Sequence, residues 1–351
     1  MQPIDADKHN FGHSVELTER DQRIWYRKPR PIYWERIFFG VASPLARYFD
    51  LVGENGKKSI GSSLFTLETV IESSWLGFSK EVKTTENVVL GADHFYSFGV
   101  LLAYSFAFGI RDLHNQNLVV TESHIQAIDA EVVFTDLILP NESVLLPYKD
   151  IEFESCGART LRATMGAFSN DDRRNIFSGY VDTFAAIFKS HAELCATFDA
   201  IDLTAPIRVI VQNTKNYKSH LNRTLPIQDL LSEEVVQLER GDVPYFFKKL
   251  GDERLFYLND KSFGVGTVQN LGRFKTDIDR HAQFPQKLIG NPDLIERKMV
   301  QGIFLIQKQF GDFGKYEFSW NGRNLSFDAE LAQNDFTGHT FRKKASSQIK
   351  S

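Results

Sequence analysis

The sequence is poor in cysteine, in net charge and in long apolar runs, and each shortage removes a class of protein. Only Cys156 and Cys195 occur among 351 residues. A disulfide framework and a four-thiolate zinc site are therefore excluded, and the reducing cytoplasm is the expected compartment. Lysine and arginine total 41 against 45 aspartate and glutamate, a formal charge of −4. No broad basic surface is thus available to neutralise the phosphates of a nucleic acid. No run reaches the roughly 18 apolar residues that a membrane helix needs. The opening Met1-Gln2-Pro3-Ile4-Asp5-Ala6-Asp7 has neither the basic nor the apolar part of a secretory signal. Neither a nucleic-acid partner nor a membrane span is expected.

What is present is globular. Hydrophobic residues make up 42% and charged residues 25%, with 30 phenylalanines to fill an interior, so a disordered chain is excluded. Val15-Glu16-Leu17 and Ile24-Trp25-Tyr26 flank a polar stretch, Thr18 to Arg23, and predict a hairpin that Pro29 and Pro31 stop. Tyr33 to Phe39 reads as a helix, and Ser62 to Trp75 as a second, with Leu64, Leu67, Ile71 and Trp75 on one face. His94 to Phe108 is apolar on nearly all sides and predicts a central buried helix closed by Gly109. Leu118-Val119-Val120 and Ile125-Gln126-Ala127-Ile128 predict a strand pair with polar residues at both mouths. Further helices are expected at about 172–198, 227–239 and 292–309, a strand at Ile207 to Val211, and a hairpin turning at Asn321-Gly322 before a frayed end.

The chemistry concentrates in Asp112-Leu113-His114-Asn115-Gln116-Asn117 and Ile128-Asp129-Ala130-Glu131. Phosphoryl transfer needs a carboxylate to orient the acceptor hydroxyl, an amide or carboxylate pair for magnesium, and a lysine to neutralise nucleotide phosphates. Asp112 lies five residues before Asn117, and Asp129 follows 12 residues later, after the strand pair. Polar residues in a loop after a helix also serve as caps and turns. The second carboxylate at this distance favours chemistry. Glu131 falls on the same strand face as Asp129, and two buried carboxylates on one face repel unless a cation lies between them. Lys28, at the end of the first hairpin, supplies the lysine.

These segments resemble the dehydratase domain of class II (LanM-type) lanthipeptide synthetases, whose fold is related to lipid kinases. Asp7-Lys8-His9-Asn10-Phe11-Gly12-His13-Ser14-Val15 is similar to the family's Asp-x-His-Asn-x-Gly-Arg-Ser-Val turn, and Tyr26-Arg27-Lys28-Pro29-Arg30 to its Tyr-Lys-Pro-Arg strand. Phe98 to Gly109 with Asp112-Leu113-His114 resembles its helix and Asp-Leu-His-x-Glu-Asn motif, and Ile128 to Phe134 its Asp-x-Glu strand. Arg208 to Tyr217 resembles the segment that carries the family's elimination arginine and threonine. Glu239 to Phe246 is similar to a signature of structural role.

The resemblance implies an α+β, two-lobed protein/lipid-kinase-like fold with a mainly helical large lobe. Residues 1–90 would form the small, nucleotide-binding lobe, 91–310 the large catalytic and elimination lobe, and 311–351 a polar hairpin and tail. With ATP and Mg2+ as cofactors, Lys28 would bind nucleotide phosphate and Asp112 would orient or deprotonate the substrate hydroxyl. Asn117 and Asp129 would ligate magnesium, with Glu131 and His114 completing the polar cluster and Glu131 counted among the metal ligands. Asp7 and His9 belong to the same set, and Arg208 and Thr214 would serve phosphate elimination from a phosphorylated Ser or Thr of a precursor peptide. The product would be dehydroalanine or dehydrobutyrine. His13, Arg27, Gln116 and Gln212 depart from the family pattern, the last beside the elimination pair. Two cysteines do not build the zinc site of a LanC-type cyclase, so ring closure is expected of a separate protein. The alternatives are a phosphotransferase that stops after phosphorylating a protein, lipid or small molecule, and a noncatalytic binding module. Gly311-Asp312-Phe313-Gly314, in a polar tail, and Gly264-Val265-Gly266, read as a loop, carry no function in this reading.

Overall fold

The computed structural model describes residues 2–3, 7–50, 59–85, 88–148, 152–161, 168–222, 224, 229–311, 316–320, 323–327 and 349–350. It is a mixed α+β fold with small antiparallel sheets. The chain begins with β1 (Gln2–Pro3), β2 (Glu16–Arg20) and β3 (Arg23–Lys28). The expected hairpin is tighter than the polar stretch suggested: only Asp21 and Gln22, at φ 50° and 59°, make the turn. Both central residues in the left-handed region match the right-handed twist of the strands. After Pro29 and Pro31 the chain enters α1 (Tyr33–Phe39), where the sequence placed it.

The expected helix from Ser62 to Trp75 is not formed. A short α2 (Ile60–Leu64) is followed by β4 (Thr69–Ser73) and β5 (Leu76–Lys80). Thr69-Val70-Ile71 is a β-branched run, stiff at χ1 and better packed on a pleated surface, and β5 gives it an edge to pair with. The resulting five-stranded sheet runs β1-β2-β3-β5-β4. Its central strand β3 ends at Lys28, which pairs with Gly77 of β5, so the lysine is delivered from the interior of the sheet.

α3 (Ala92–Phe108) and α4 (Asn170–Asp199) form the centre of the helical part. α3 is buried on nearly every side, as its composition predicted, and Gly109 closes it at φ 66°. Between α3 and α4 lie β6 (Leu118–Val120) and β7 (Ile125–Ala127), paired with Leu118 opposite Ala127. The approach of α3 to α4 depends on two glycines. A Cβ on Gly99 would lie 1.9 Å from the Ile176 carbonyl oxygen, and one on Gly179 2.1 Å from that of Tyr96. Each helix backbone thus fills the space of the other's missing side chain. Gly99→Ala is expected to lower the unfolding free energy by about 1–3 kcal/mol through overpacking, measured by denaturant titration; an unchanged midpoint would mean that the helices do not meet here.

The chain continues through β8 (Ile207–Val209), α5 (Thr214–Leu221), α6 (Ser232–Glu239), β9 (Phe246–Lys248), β10 (Phe256–Leu258) and β11 (Val265–Thr267). The four strands form a second antiparallel sheet, β11-β10-β9-β8. Gly264-Val265-Gly266 therefore meets this sheet's edge strand rather than forming a loop. α7 (Lys275–Ile278), α8 (Pro285–Ile289) and α9 (Pro292–Phe310) follow, with Tyr180 of α4 donating its hydroxyl to the Lys298 carbonyl at 3.0 Å. β12 (Tyr316–Trp320) and β13 (Arg323–Phe327) form the expected last hairpin. Its Asn321-Gly322 turn, most of Gly311-Asp312-Phe313-Gly314 and the tail from 328 to 348 lie outside the described residues.

One apolar core joins these parts. Phe38 of α1 packs on Tyr104 and Phe108 of α3, on Phe134 and on Phe198 of α4, with ring centroids 5.3–6.0 Å apart. α1 and α2, on the near side of the expected boundary at residue 90, are buried in this same core. Among the described residues no helix is long and apolar enough to cross a membrane.

Candidate active site

Separate segments bring their charged side chains to one place, at the junction of the first sheet, the β6–β7 pair and the second sheet. Lys28 at the end of β3 donates from Nζ to Glu35 Oε2 and to the Ile128 carbonyl, both at 2.8 Å. Glu35 lies in the first turn of α1 and is fully buried. Pro29 and Pro31 flank Arg30 and fix φ on either side of it, so the chain turns from β3 into α1 with the Arg30 guanidinium inside. Its Nη1 lies 2.7 Å from Glu35 Oε1, its Nη2 2.8 Å from Asp129 Oδ2 and its Nε 3.5 Å from Glu131 Oε2.

Asp129 and Glu131 follow β7 in irregular chain and face the same side. The cation required between two such carboxylates is a guanidinium. Glu131 is further held by Arg208 of β8, whose Nη1 donates to Oε1 and whose backbone N–H donates to the Glu131 carbonyl at 3.0 Å. Tyr245 donates its hydroxyl to Glu131 Oε2 at 3.1 Å. Burial alone would raise the Glu131 pKa, but Arg208, then Arg30 and His9, outweigh it and hold the carboxyl down at about 2. Arg208 is held protonated against its own burial, chiefly by Glu131 and Asp112.

The loop after α3 carries the second half of the site. Asp112 adopts φ 65°, a conformation that costs a non-glycine residue energy and is tolerated best by Asp and Asn. Its carbonyl accepts a hydrogen bond from Asn117 Nδ2 at 2.7 Å, which closes the loop and leaves the Asn117 side-chain oxygen on the other arm of the amide. His114 Nε2 stands 3.9 Å from Asp112 Oδ1. Burial raises the Asp112 pKa, Asp129 and Glu131 add to the rise, and His114 and Arg208 oppose it. Exposure separates the acids into two kinds. Asp112 and Asp129 keep 31% and 26% of their side-chain surface, whereas Glu35 and Glu131 keep 1% and 6%. The first pair can meet a substrate; the second is part of the wall.

The N-terminal turn closes another side. Asn10, Phe11 and Gly12 have φ of 49°, 72° and 83°. The N–H groups of Phe11 and Gly12 donate to the buried Asp242 carboxylate at 2.7 and 2.8 Å, and Arg240 Nε meets the same group at 2.6 Å. The segment from Glu239 to Phe246 thus has the structural role its resemblance implied. His9 Nδ1 lies 2.7 Å from the Val243 carbonyl, an acceptor only, so Nδ1 carries the proton. Burial, then Arg208, lowers its pKa to about 4, and the ring is neutral. Asp7 pairs with Lys218 of α5 at 2.8 Å. Thr214 opens α5; among the described residues its hydroxyl bonds to none of the cluster. Gln212 donates to Glu234 at 3.3 Å, on which Tyr217 also converges, so it ties α5 to α6 instead of entering the cluster.

Magnesium was expected on Asn117, Asp129 and Glu131. Asp129 Oδ1 is buried without a hydrogen-bond partner, as a ligand oxygen would be, and a carboxylate with an amide oxygen suits a hard cation that takes its other ligands from phosphates and water. Glu131 does not fit: Arg208 occupies one of its oxygens, and Tyr245 and Arg30 face the other. Among the described residues no group of three His, Cys, Asp or Glu side chains is placed to hold a metal.

Arg30, Glu35 and Tyr245 were missed as site residues. Arg30 stood in the quoted Lys28-Pro29-Arg30 motif, and Glu35 is a lone acid among Trp34, Ile37 and Phe38, whose burial has to be matched by a cation. Tyr245 stood in the Glu239 to Phe246 signature, which was read as structural only. Residues 2–166 match the model of a family described as a domain of unknown function, DUF4135, a domain family found in LanM-type lanthipeptide synthetases. That stretch holds Asp7, His9, Lys28, Asp112, His114, Asn117, Asp129 and Glu131; Arg208 and Thr214 lie beyond it. No curated protein matches the chain.

Proposed function

We propose that the chain is a LanM-like peptide Ser/Thr dehydratase with a two-lobed, kinase-like architecture, working with Mg-ATP in the cytoplasm. The observation that carries the reading is Lys28, bonded at 2.8 Å both to Glu35 and to the carbonyl that precedes Asp129. A strand lysine paired with a helix glutamate, beside a carboxylate suited to magnesium, is the arrangement that kinase-type phosphoryl transfer uses to hold nucleotide phosphates. Asn117 and Asp129 would hold the ion, which when bound would neutralise charge on the phosphate oxygens. Asp112 accepts the proton of the substrate hydroxyl as its oxygen bonds to the γ-phosphorus and the bond to the β-phosphate oxygen breaks. His114 steadies the Asp112 charge.

Elimination then removes the α-proton of the phosphorylated residue. The α-proton passes through water to the departing phosphate, the Cα–H electron pair becomes the Cα=Cβ bond, and the Cβ–O bond breaks to release hydrogen phosphate. Arg208 and Thr214 are the residues proposed to act there, with the guanidinium suited to fork onto phosphate oxygens.

The test is intact mass of a Ser/Thr-bearing precursor peptide incubated with the chain and Mg-ATP. Loss of one water per modified site is expected; absence of any change across cognate peptides would sink the reading. A specific observation favours the alternative, a phosphotransferase that stops at phosphorylation: Arg208 is already committed to Glu131. Arg208→Ala separates the two. A dehydratase carrying it accumulates phosphopeptide, whereas a kinase without an elimination step shows the same product before and after the substitution.

A further inference from the structure

Arg30 is the charge at the centre of the cluster, and its contacts are unequal. The guanidinium faces Glu35, Asp129 and Glu131 at once, while Lys28 shares Glu35 and Arg208 shares Glu131. Glu35 and Glu131 therefore each have a second cation. For Asp129, Arg30 is the cation in contact among the described residues. Arg30 Nη2 lies 2.8 Å from Asp129 Oδ2, and Nη2, Asp129 Oδ1 and Glu35 Oε1 are all buried without a hydrogen-bond partner, so what sets Asp129 apart is that among these residues it has no second cation. The guanidinium serves Asp129 as a charge and not as an aligned fork, although aligned forks are what make arginine–carboxylate pairs strong.

From this we propose that Arg30 is a built-in counter-cation that neutralises Asp129 until a divalent ion arrives, and that it gives up Asp129 to that ion while keeping Glu35 and Glu131. The inference rests on the Mg-ATP reading. A divalent ion on Asp129 Oδ1 would stand beside the Arg30 charge on Oδ2, and a doubly charged neighbour repels the guanidinium more than Lys28 or Arg208 does, so Arg30 and the metal compete for Asp129. A guanidinium between the acids also keeps the metal-free cluster from carrying adjacent unneutralised carboxylates, which would repel. Arg30 is in this account a positioning residue that sets metal affinity and touches no reacting atom.

The experiment titrates Mn2+ alone into the full chain, following free Mn2+ by electron paramagnetic resonance, for wild type and for Arg30→Gln. The Gln variant is expected to bind Mn2+ about tenfold more tightly or better, because a competing unit charge has gone. Equal or weaker affinity, with wild-type binding present, overturns the proposal and leaves the Mg-ATP reading standing. No binding by either protein, with or without ATP, removes both. Should Arg30→Gln fail to fold, the wild-type chain provides the second measurement. The 15N signal of the Arg30 Nε–H group, assigned by its loss in Arg30→Lys, is expected to shift when Mg2+ and ATP are added together. A signal that stays in place under saturating Mg-ATP overturns the proposal.

Discussion

Asp112→Asn is expected to cut phosphorylation of a peptide substrate by about 10²- to 10⁴-fold, the range over which a positioned proton acceptor acts, with little change in fold or nucleotide affinity. The asparagine keeps the shape of the side chain and the backbone hydrogen bond, since Asn117 bonds to the Asp112 carbonyl and not to its carboxyl. Only the charge and basicity are removed. Single-turnover assays separate this outcome from a binding defect, and a variant with more than half the wild-type rate would exclude Asp112 as the acceptor. The pH dependence has a defined sign. Burial is the main cause that raises the Asp112 pKa, so the base is lost to protonation at a higher pH than for an ordinary aspartate. The acid limb of kcat/KM should accordingly lie above the usual carboxylate range. In stability the same shift is unfavourable: the charged form is harder to bury, so the cost grows as pH rises from the ordinary value through the raised one.

The elements that sequence made legible are those with a strong period or strong punctuation. α3 was found because nearly every position from His94 to Phe108 is apolar and Gly109 stops it. The β6–β7 pair was found because Val, Ile and Leu cluster on either side of a polar turn. β9, β10 and β11 have three residues each, too few for an alternation to show, and they are defined by the strands beside them. The segment from Ser62 to Trp75 failed for the opposite reason. Its apolar positions fit a helical face, but β5 offers backbone partners that no local pattern contains, and tertiary pairing decides between the two.

In the site, residue types and spacing gave Lys28, Asp112, Asn117, Asp129 and Glu131, and the structure gathers them with Arg208. The need for a cation between Asp129 and Glu131 was also legible, because it follows from charge. Which cation fills the place was not. Arg30 lies 99 residues before Asp129, and only the turn from β3 into α1 brings it there. Among the described residues the Thr214 hydroxyl, at the start of α5, has no bond to the cluster. Glu131 was expected as a metal ligand, and the guanidinium of Arg208 gives it a different task.

That task makes Glu131 the most sensitive structural position in the site. Glu131→Gln is expected to destabilise the fold by about 3–5 kcal/mol at neutral pH, the cost of leaving one side of a buried ion pair uncompensated. Two guanidiniums, of Arg208 and Arg30, lose the charge they face, and Tyr245 keeps only a neutral acceptor. The pH dependence supplies an independent check. The Glu131 carboxyl is held down from its ordinary value to about 2, against its own burial, by Arg208 and Arg30, and a depressed folded value stabilises the fold. Because the folded value is depressed, this stabilisation is fully present above the ordinary value and is lost as pH falls through about 2. Wild type and Glu131→Gln should therefore differ most in urea titrations at neutral pH and converge as the pH falls from about 4.5 towards 2. Identical midpoints at neutral pH would show that Arg208 is not paired with Glu131 in solution. In that case the guanidinium would be free for phosphate from the start, and the ionic wall would have to be built by Arg30 alone. If the difference is found, the proposed elimination requires Arg208 to exchange one anion for another in each cycle, and Glu131 would set how tightly the leaving phosphate must bind to draw it away.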